Sequence, residues 1–217
     1  MLLTWALARC KSEDVSCRAP LLARWQALEP GNAAAWHEDL MHRTRPAAAV
    51  LVQMAAGDRF VLHFGALAAL VAKAPPADML PYLRQALVID AVGIEAAMGL
   101  PALFALASQC KPAPAAGSVL QRQCDQIAGL MVDKGDTLLA HGVGLRLGER
   151  AGWPAARVAA ARAEMNAAYA APGILPADDQ PLGCAAVTWT LTWFDDVSRL
   201  GEVGLMRQRL AAASAPR

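Results

Sequence analysis

The segment with the clearest potential for metal chemistry reads His37-Glu38-Asp39-Leu40-Met41-His42. Zinc hydrolase motifs place two histidines four positions apart on one helix, so that both imidazoles face the same ion. Here the two histidines are five positions apart, and on an α-helix their side chains diverge by about 140°. The sequence therefore predicts no metal site and no cofactor, and it places these histidines on a solvated or groove-lining helix face.

Two further segments contain residue types that occur in active sites. Asp195 and Asp196 are adjacent, and adjacent residues on a helix point about 100° apart, so they do not form an acid/base pair. Gly142, Gly144 and Gly148 lack the spacing of a dinucleotide-binding loop and follow no expected strand. Because glycine disfavours a helix interior, the close approach of a second helix explains these residues better.

The composition of the chain favours helices over strands. Hydrophobic residues make up 56% of the 217 residues and charged residues only 18%, and much of the apolar surplus is alanine, which has the best helix propensity. The predicted fold class is all-α, with antiparallel helix pairs arranged as an α-solenoid or an irregular multi-helix bundle. We expect a single helical domain over residues 1–217, with 1–110 and 111–217 as two subdomains in the alternative organisation.

Proline, glycine and polar clusters divide the chain into helical segments joined by short turns. The longest expected loop covers 172–183, and Gly201 and Gly204 are possible breaks in the last helix. The expected helices cover about 2–10, 17–28, 33–43, 46–55, 58–73, 77–97, 101–110, 118–134, 136–150, 153–170 and 184–213.

The stretch from Ala27 to Trp36 resembles the junction between two tetratricopeptide repeats. Pro30 ends one helix, Asn32 can cap the next, and Trp36 packs back against the preceding helix. The resemblance covers about 40 residues at the start of the chain and implies a degenerate helical repeat of this family. In that family the first helix of each pair lines a partner-binding groove, and the matching positions here are Ala34, His37, Met41 and Thr44.

Five cysteines carry information about the compartment through their spacing, because none forms a Cys-x-x-Cys motif. Cys10 and Cys17 flank one expected turn, and Cys110 and Cys124 flank another, so each pair could staple a helical hairpin. Five cysteines allow 15 ways of making two bonds, and buried free thiols, including Cys184, remain the alternative. Disulfides would indicate an oxidising compartment, periplasmic or secreted.

Charge and hydropathy exclude several classes of partner. The net charge is +1 and basic residues are scattered, whereas a nucleic-acid surface needs a clustered basic face. The best candidate for a membrane span, Phe60 to Ala72, contains His63, is bounded by charged residues and is too short to cross, so no membrane insertion is expected. Met1 to Ala8 has neither a basic region nor a cleavage site, so it is not predicted to be a signal peptide.

The function predicted from these features is a non-enzymatic helical-repeat module that binds another protein. It would act as an adaptor, inhibitor or immunity-type protein in an extracytoplasmic bacterial compartment, and its oligomeric state is left open. Two alternatives remain at this point. One is a helical hydrolase of unrecognised type that uses His37, Glu38 or Asp195, and the other is a structural domain of a larger envelope protein.

Overall fold

The computed structural model describes residues 2–11, 14–76, 78–111, 114–170 and 184–214. Within these ranges the chain forms ten α-helices and no β-strand, so the all-α prediction is confirmed. The expected loop over 172–183 lies outside the described residues. The helices are α1 (Leu2–Arg9), α2 (Val15–Leu28), α3 (Ala34–His42), α4 (Ala47–Ala55), α5 (Ala66–Lys73), α6 (Pro81–Gln109), α7 (Val119–Asp133), α8 (Leu138–Ala151), α9 (Ala155–Ala170) and α10 (Cys184–Ser214).

The fifth helix begins at Ala66, eight residues later than the sequence predicts. The preceding residues form no helix, and the Asn32 side chain binds both backbone groups of Val61. Its Oδ1 accepts from the Val61 N–H at 2.9 Å, and its Nδ2 donates to the Val61 carbonyl at 2.8 Å. These bonds occupy backbone groups that a helix would need for itself.

A second difference concerns α6, which runs through Pro101 as one helix where the sequence predicts two. Because proline has no N–H to donate within a helix, it usually marks a helix boundary. Its presence in the sequence therefore did not show whether one helix or two would form. Gly201, an expected break, does lie at a kink in α10, where its φ of 71° and ψ of 163° are not helical.

The chain divides into two compact units, each built from two separate stretches. Unit 1 contains Met1–Leu62 and Met98–Ala163, and unit 2 contains His63–Ala97 and Glu164–Arg217. None of these boundaries falls at residue 110, where the two-subdomain alternative placed it. In unit 1, helices pack in the pairs α1–α2, α2–α3, α3–α4, α4–α7 and α7–α8, and in unit 2 α5 packs on α10.

The first helices of unit 1 share an apolar cluster. Leu7, Leu22, Trp25 and Ala35 are buried together, and Trp36 packs against them, as the sequence predicts. Asn32 accepts a hydrogen bond from the Ala34 N–H at 3.1 Å, which satisfies a free donor at the start of α3.

Two glycines of α8, Gly144 and Gly148, lie where another group comes close to the helix. A Cβ on Gly144 would lie 2.6 Å from the Met131 Cβ of α7, and one on Gly148 would lie 2.3 Å from the Trp153 ring. The interpretation of Gly144 as a site of close helix approach is confirmed.

Two disulfides join helix ends within unit 1. Cys10 is bonded to Cys17 and Cys110 to Cys124, with Cα–Cα distances of 5.8 Å and 6.0 Å. Both predicted pairs are therefore present, while the side chain of Cys184 lies outside the described part of the chain.

Candidate functional site

Two of the four predicted groove residues lie in the core of unit 1. The exposed fractions of Ala34 and His37 are 0% and 1%, and the His37 ring packs edge-on against Trp25 and Phe60, with ring centroids 6.4 Å and 5.9 Å away. Their placement in a partner-binding groove is therefore wrong for this structure, because α3 turns this side inward. Met41 and Thr44 are partly exposed, and their role in binding stays a prediction.

A buried guanidinium links the start of α2 to the end of α3. Arg18 donates to the carbonyl oxygens of Cys10 and Lys11 at 2.9 Å and 3.1 Å. Its Nη1 also lies 2.6 Å from Nε2 of His42. Because a guanidinium only donates, this contact requires Nε2 to accept and forms only in the ring tautomer without a proton on Nε2.

Glu38 occupies the other side of the same imidazole. Its carboxylate oxygens lie 3.6 Å from His42 Nε2 and 3.7 Å from His37 Nε2. Burial raises the pKa of Glu38, but a hydrogen bond from His42 and the positive charges of His37, His42 and Arg18 outweigh it and hold the pKa below its ordinary value. Only protonated His42 Nε2 can donate to Glu38, so this contact and the one with Arg18 are alternatives.

Asp39 is also buried and satisfied by neighbouring side chains. Gln26 Nε2 donates to its Oδ2 at 2.8 Å, the Thr44 hydroxyl donates to its Oδ1, and Arg45 lies 3.9 Å away. The acidic and basic groups of α3 are thus engaged with one another and with the backbone, an arrangement that holds α2, α3 and the following turn together.

A recess of about 570 Å³ opens beside this cluster, at the start of α4. Helix α4 begins there without a side-chain cap, and the left-handed Arg43, with a φ of 51°, turns the chain into it. Of the predicted groove residues, Thr44 contributes to this wall. The recess is lined by Leu40, Arg43, Thr44, Arg45, Pro46, Ala47 and Gln109.

The third candidate for hydrolase chemistry, Asp195, lies in unit 2 and is held in ion pairs. Its carboxylate is 2.7 Å from Lys73 Nζ and 3.5 Å from Arg199 Nε. The hydrogen bond and charge of Lys73 lower the pKa of Asp195. His37 and Glu38 belong to unit 1. Among the described residues no group of three or more His, Cys, Asp or Glu side chains is placed to hold a metal ion.

A row of exposed apolar side chains lies on the first half of α6, in unit 2. Five large apolar side chains are between 42% and 52% exposed, and they occupy one side of the helix, whereas Gln85, Val88 and Ala91 on the opposite side are buried. We call this exposed side the α6 face. It consists of Tyr82, Leu83, Ala86, Leu87, Ile89, Asp90, Gly93, Ile94 and Ala97.

The buried side of the same helix is fixed within unit 2 by polar contacts. Gln85 donates to the Thr190 hydroxyl at 3.0 Å. Glu95 accepts from the Gly65 and Leu67 N–H groups at 3.0 Å and 2.9 Å, which caps the start of α5. Burial raises the pKa of Glu95, against the lowering effect of these hydrogen bonds. The contacts determine which side of α6 is left exposed.

Helix α6 is also long and apolar enough to cross a membrane, by length and composition alone. The expectation of no membrane insertion was argued from Phe60 to Ala72 and did not consider α6, and it stays a prediction. One such helix is weak evidence for a span, since core helices of soluble proteins meet the same criterion. However, only 25% of the qualifying window is buried, which is unlike a core helix.

The fold defines an all-α protein braced by two disulfides, with an apolar helix face exposed on one unit. No family model, no curated protein and no solved structure matches the chain.

Proposed function

We propose that the chain is a non-enzymatic helical module that binds another protein through the α6 face. The observation that carries this proposal is the row of half-exposed apolar side chains on a helix whose other side is fixed in the fold. Large contiguous exposed apolar patches mark protein–protein or membrane interaction sites. Adaptor, inhibitor and immunity-type roles all fit such a surface.

The size of the exposed apolar surface supports a binding role energetically. Full burial of a large apolar side chain contributes about 1.5–3 kcal/mol. Five side chains that are each about half exposed would contribute roughly 4–7 kcal/mol when covered, before the cost of association is subtracted. A partner helix lying along the α6 face would bury apolar side chains of its own as well, and the combined burial has to exceed an association cost of about 4–15 kcal/mol.

The two disulfides support an extracytoplasmic location, periplasmic or secreted, in a bacterium. Structural disulfides form and persist in oxidising compartments and are rare in the cytosol.

The positions of the hydrolase candidates support a non-enzymatic role. His37 is enclosed by aromatic rings, Glu38 is engaged with two histidines, and Asp195 is held by Lys73 and Arg199. Each of these groups already has a structural partner, and Asp195 belongs to the other compact unit.

The proposal is tested by affinity purification of the tagged chain from the envelope of the bacterium that produces it. We expect a stoichiometric protein partner, which is lost when Leu87→Glu and Ile94→Glu are combined. The matched control combines Val52→Glu and Leu139→Glu, which charge similarly exposed aliphatic side chains on other helices and should leave capture intact. Equal capture by the face variant, or no stoichiometric protein, would contradict the proposal.

A further inference from the structure

One charged residue interrupts the α6 face close to its centre. Asp90 lies midway between Tyr82 and Ala97, and it is exposed. The residues three and four positions away on either side, which are its neighbours on the helix surface, are all apolar: Ala86, Leu87, Gly93 and Ile94.

The chain offers Asp90 no counter-charge on its own helix. Arg84, the basic residue of this half of α6, lies six positions earlier and donates to the Pro76 carbonyl at 3.0 Å. Covering the α6 face would take the Asp90 carboxylate out of water, and an unpaired buried charge costs several kcal/mol. A partner that covers this face must therefore supply a cation.

The remaining residues of the face suit a helical partner. Ala86, Gly93 and Ala97 form a stripe of small residues, with Leu83, Leu87 and Ile94 on one side and Tyr82 and Ile89 on the other. A Cβ at Gly93 would meet no atom within 4 Å. A shallow groove between two apolar rows accepts the ridge of a second helix, at the interaxial distance of 8–10 Å usual for packed helices.

We propose that the partner presents an amphipathic helix with an apolar face and one Lys or Arg side chain opposite Asp90. This inference rests on the proposed function and specifies the chemistry of the partner. A lipid surface fits less well, because the bilayer interior offers no counter-charge and anionic headgroups repel a carboxylate. A second copy fits less well too, because a twofold pair centred on this face brings the two Asp90 carboxylates together.

The test uses two synthetic amphipathic helical peptides with the same leucine face, one with a central lysine and one with glutamate in its place. Their binding to the full chain is measured by isothermal titration calorimetry. We expect the chain to prefer the lysine peptide by at least about tenfold, and Asp90→Lys to reverse the preference. Asp78→Lys, the same charge change outside α6, is the control and should leave the preference unchanged.

Several results would overturn the inference. Equal binding of both peptides would show that the face binds helices without charge selection, which leaves the proposed function standing. Failure of both peptides to bind would also overturn the inference. The capture experiment with Leu87→Glu and Ile94→Glu then tests the proposed function separately. Concentration-dependent dimerisation lost with Leu87→Glu, or co-sedimentation with phosphatidylcholine vesicles, would assign the face to a second copy or to lipid.

Discussion

Arg18 illustrates how one buried side chain ties consecutive helices of unit 1 together. Its guanidinium satisfies two carbonyl oxygens at the end of α1 and the turn that follows, and it also reaches His42 on α3. We expect Arg18→Ala to lower the free energy of unfolding by about 3 kcal/mol, because it removes three charge-assisted hydrogen bonds and leaves buried acceptors unpaired.

Chemical denaturation measures this change directly. The matched control is Arg24→Ala, in the same helix but at an exposed position, where the effect should stay within about 0.5 kcal/mol. Equal losses for the two variants would show that the Arg18 contacts do not stabilise the fold.

Glu38 predicts a specific dependence of stability on pH. Its pKa in the folded protein lies below the ordinary value of 4.5, so its contribution is fully present above that value and is lost as the pH falls through the folded pKa. We expect Glu38→Gln to be less stable than the parent chain at pH 7, with a difference that narrows as the pH is lowered below 4.5.

Glu95 serves as a control of opposite sign. Because burial raises its pKa, its contribution is fully present below the ordinary value and is lost as the pH rises through the folded pKa. The advantage of the parent chain over Glu95→Gln should therefore shrink as the pH rises above 4.5. Unfolding curves at a series of pH values would contradict the account if both variants showed the same slope.

At the residue scale, the sequence predicted which nearby residues contact one another better than it predicted which side chains face the core. The pairs Cys10–Cys17 and Cys110–Cys124 and the packing of Trp36 follow from local spacing. The burial of His37 depends on its contact with the ring of Phe60, which follows α4 and is distant from His37 in the sequence. No periodicity on α3 itself reveals that contact.

At the scale of elements, the close packing of α7 against α8 depends on Gly144 at their contact. We expect Gly144→Ala to destabilise the protein by about 1–3 kcal/mol, because its Cβ would meet Met131 and the Ala128 carbonyl. Gly93→Ala is the matched control, since it fills open space on an exposed helix and should stabilise by about 0.5–1 kcal/mol. Thermal unfolding that shows equal effects at the two sites would contradict this packing.

The disulfide between Cys110 and Cys124 connects the end of α6 to α7 and joins two residues that are 14 positions apart in the sequence. Loop-closure entropy predicts that replacing both cysteines by serine costs about 3 kcal/mol. The free energy of unfolding of this double variant, measured beside the parent chain with and without a reductant, checks the value. A parent chain whose stability is insensitive to the reductant would contradict the role of both disulfides.

The helices themselves were predictable from composition and punctuation, whereas two of their boundaries were not. The start of α5 is delayed by the hydrogen bonds of Asn32 to Val61, and α6 continues through Pro101. The delayed start of α5 depends on a side chain outside that helix. The α6 face could not be predicted either, since the spacing of Leu83, Leu87 and Ile94 predicts a helix but not which side is covered.

At the scale of the whole molecule, the all-α class follows from alanine content and the lack of strand formers, and it is confirmed. The two compact units could not be predicted, because each combines stretches that are far apart in the sequence. Helix periodicity carries no information about which distant helices pack together.

We propose that another protein covers the α6 face in the bacterium that produces the chain. Site-specific photo-crosslinking detects such a partner, with a benzoylphenylalanine residue introduced at position 87 on the face or at position 52 on α4 in producing cells. We expect one discrete protein adduct from position 87 and none from position 52. No adduct at position 87, or the same adducts from both positions, would contradict it.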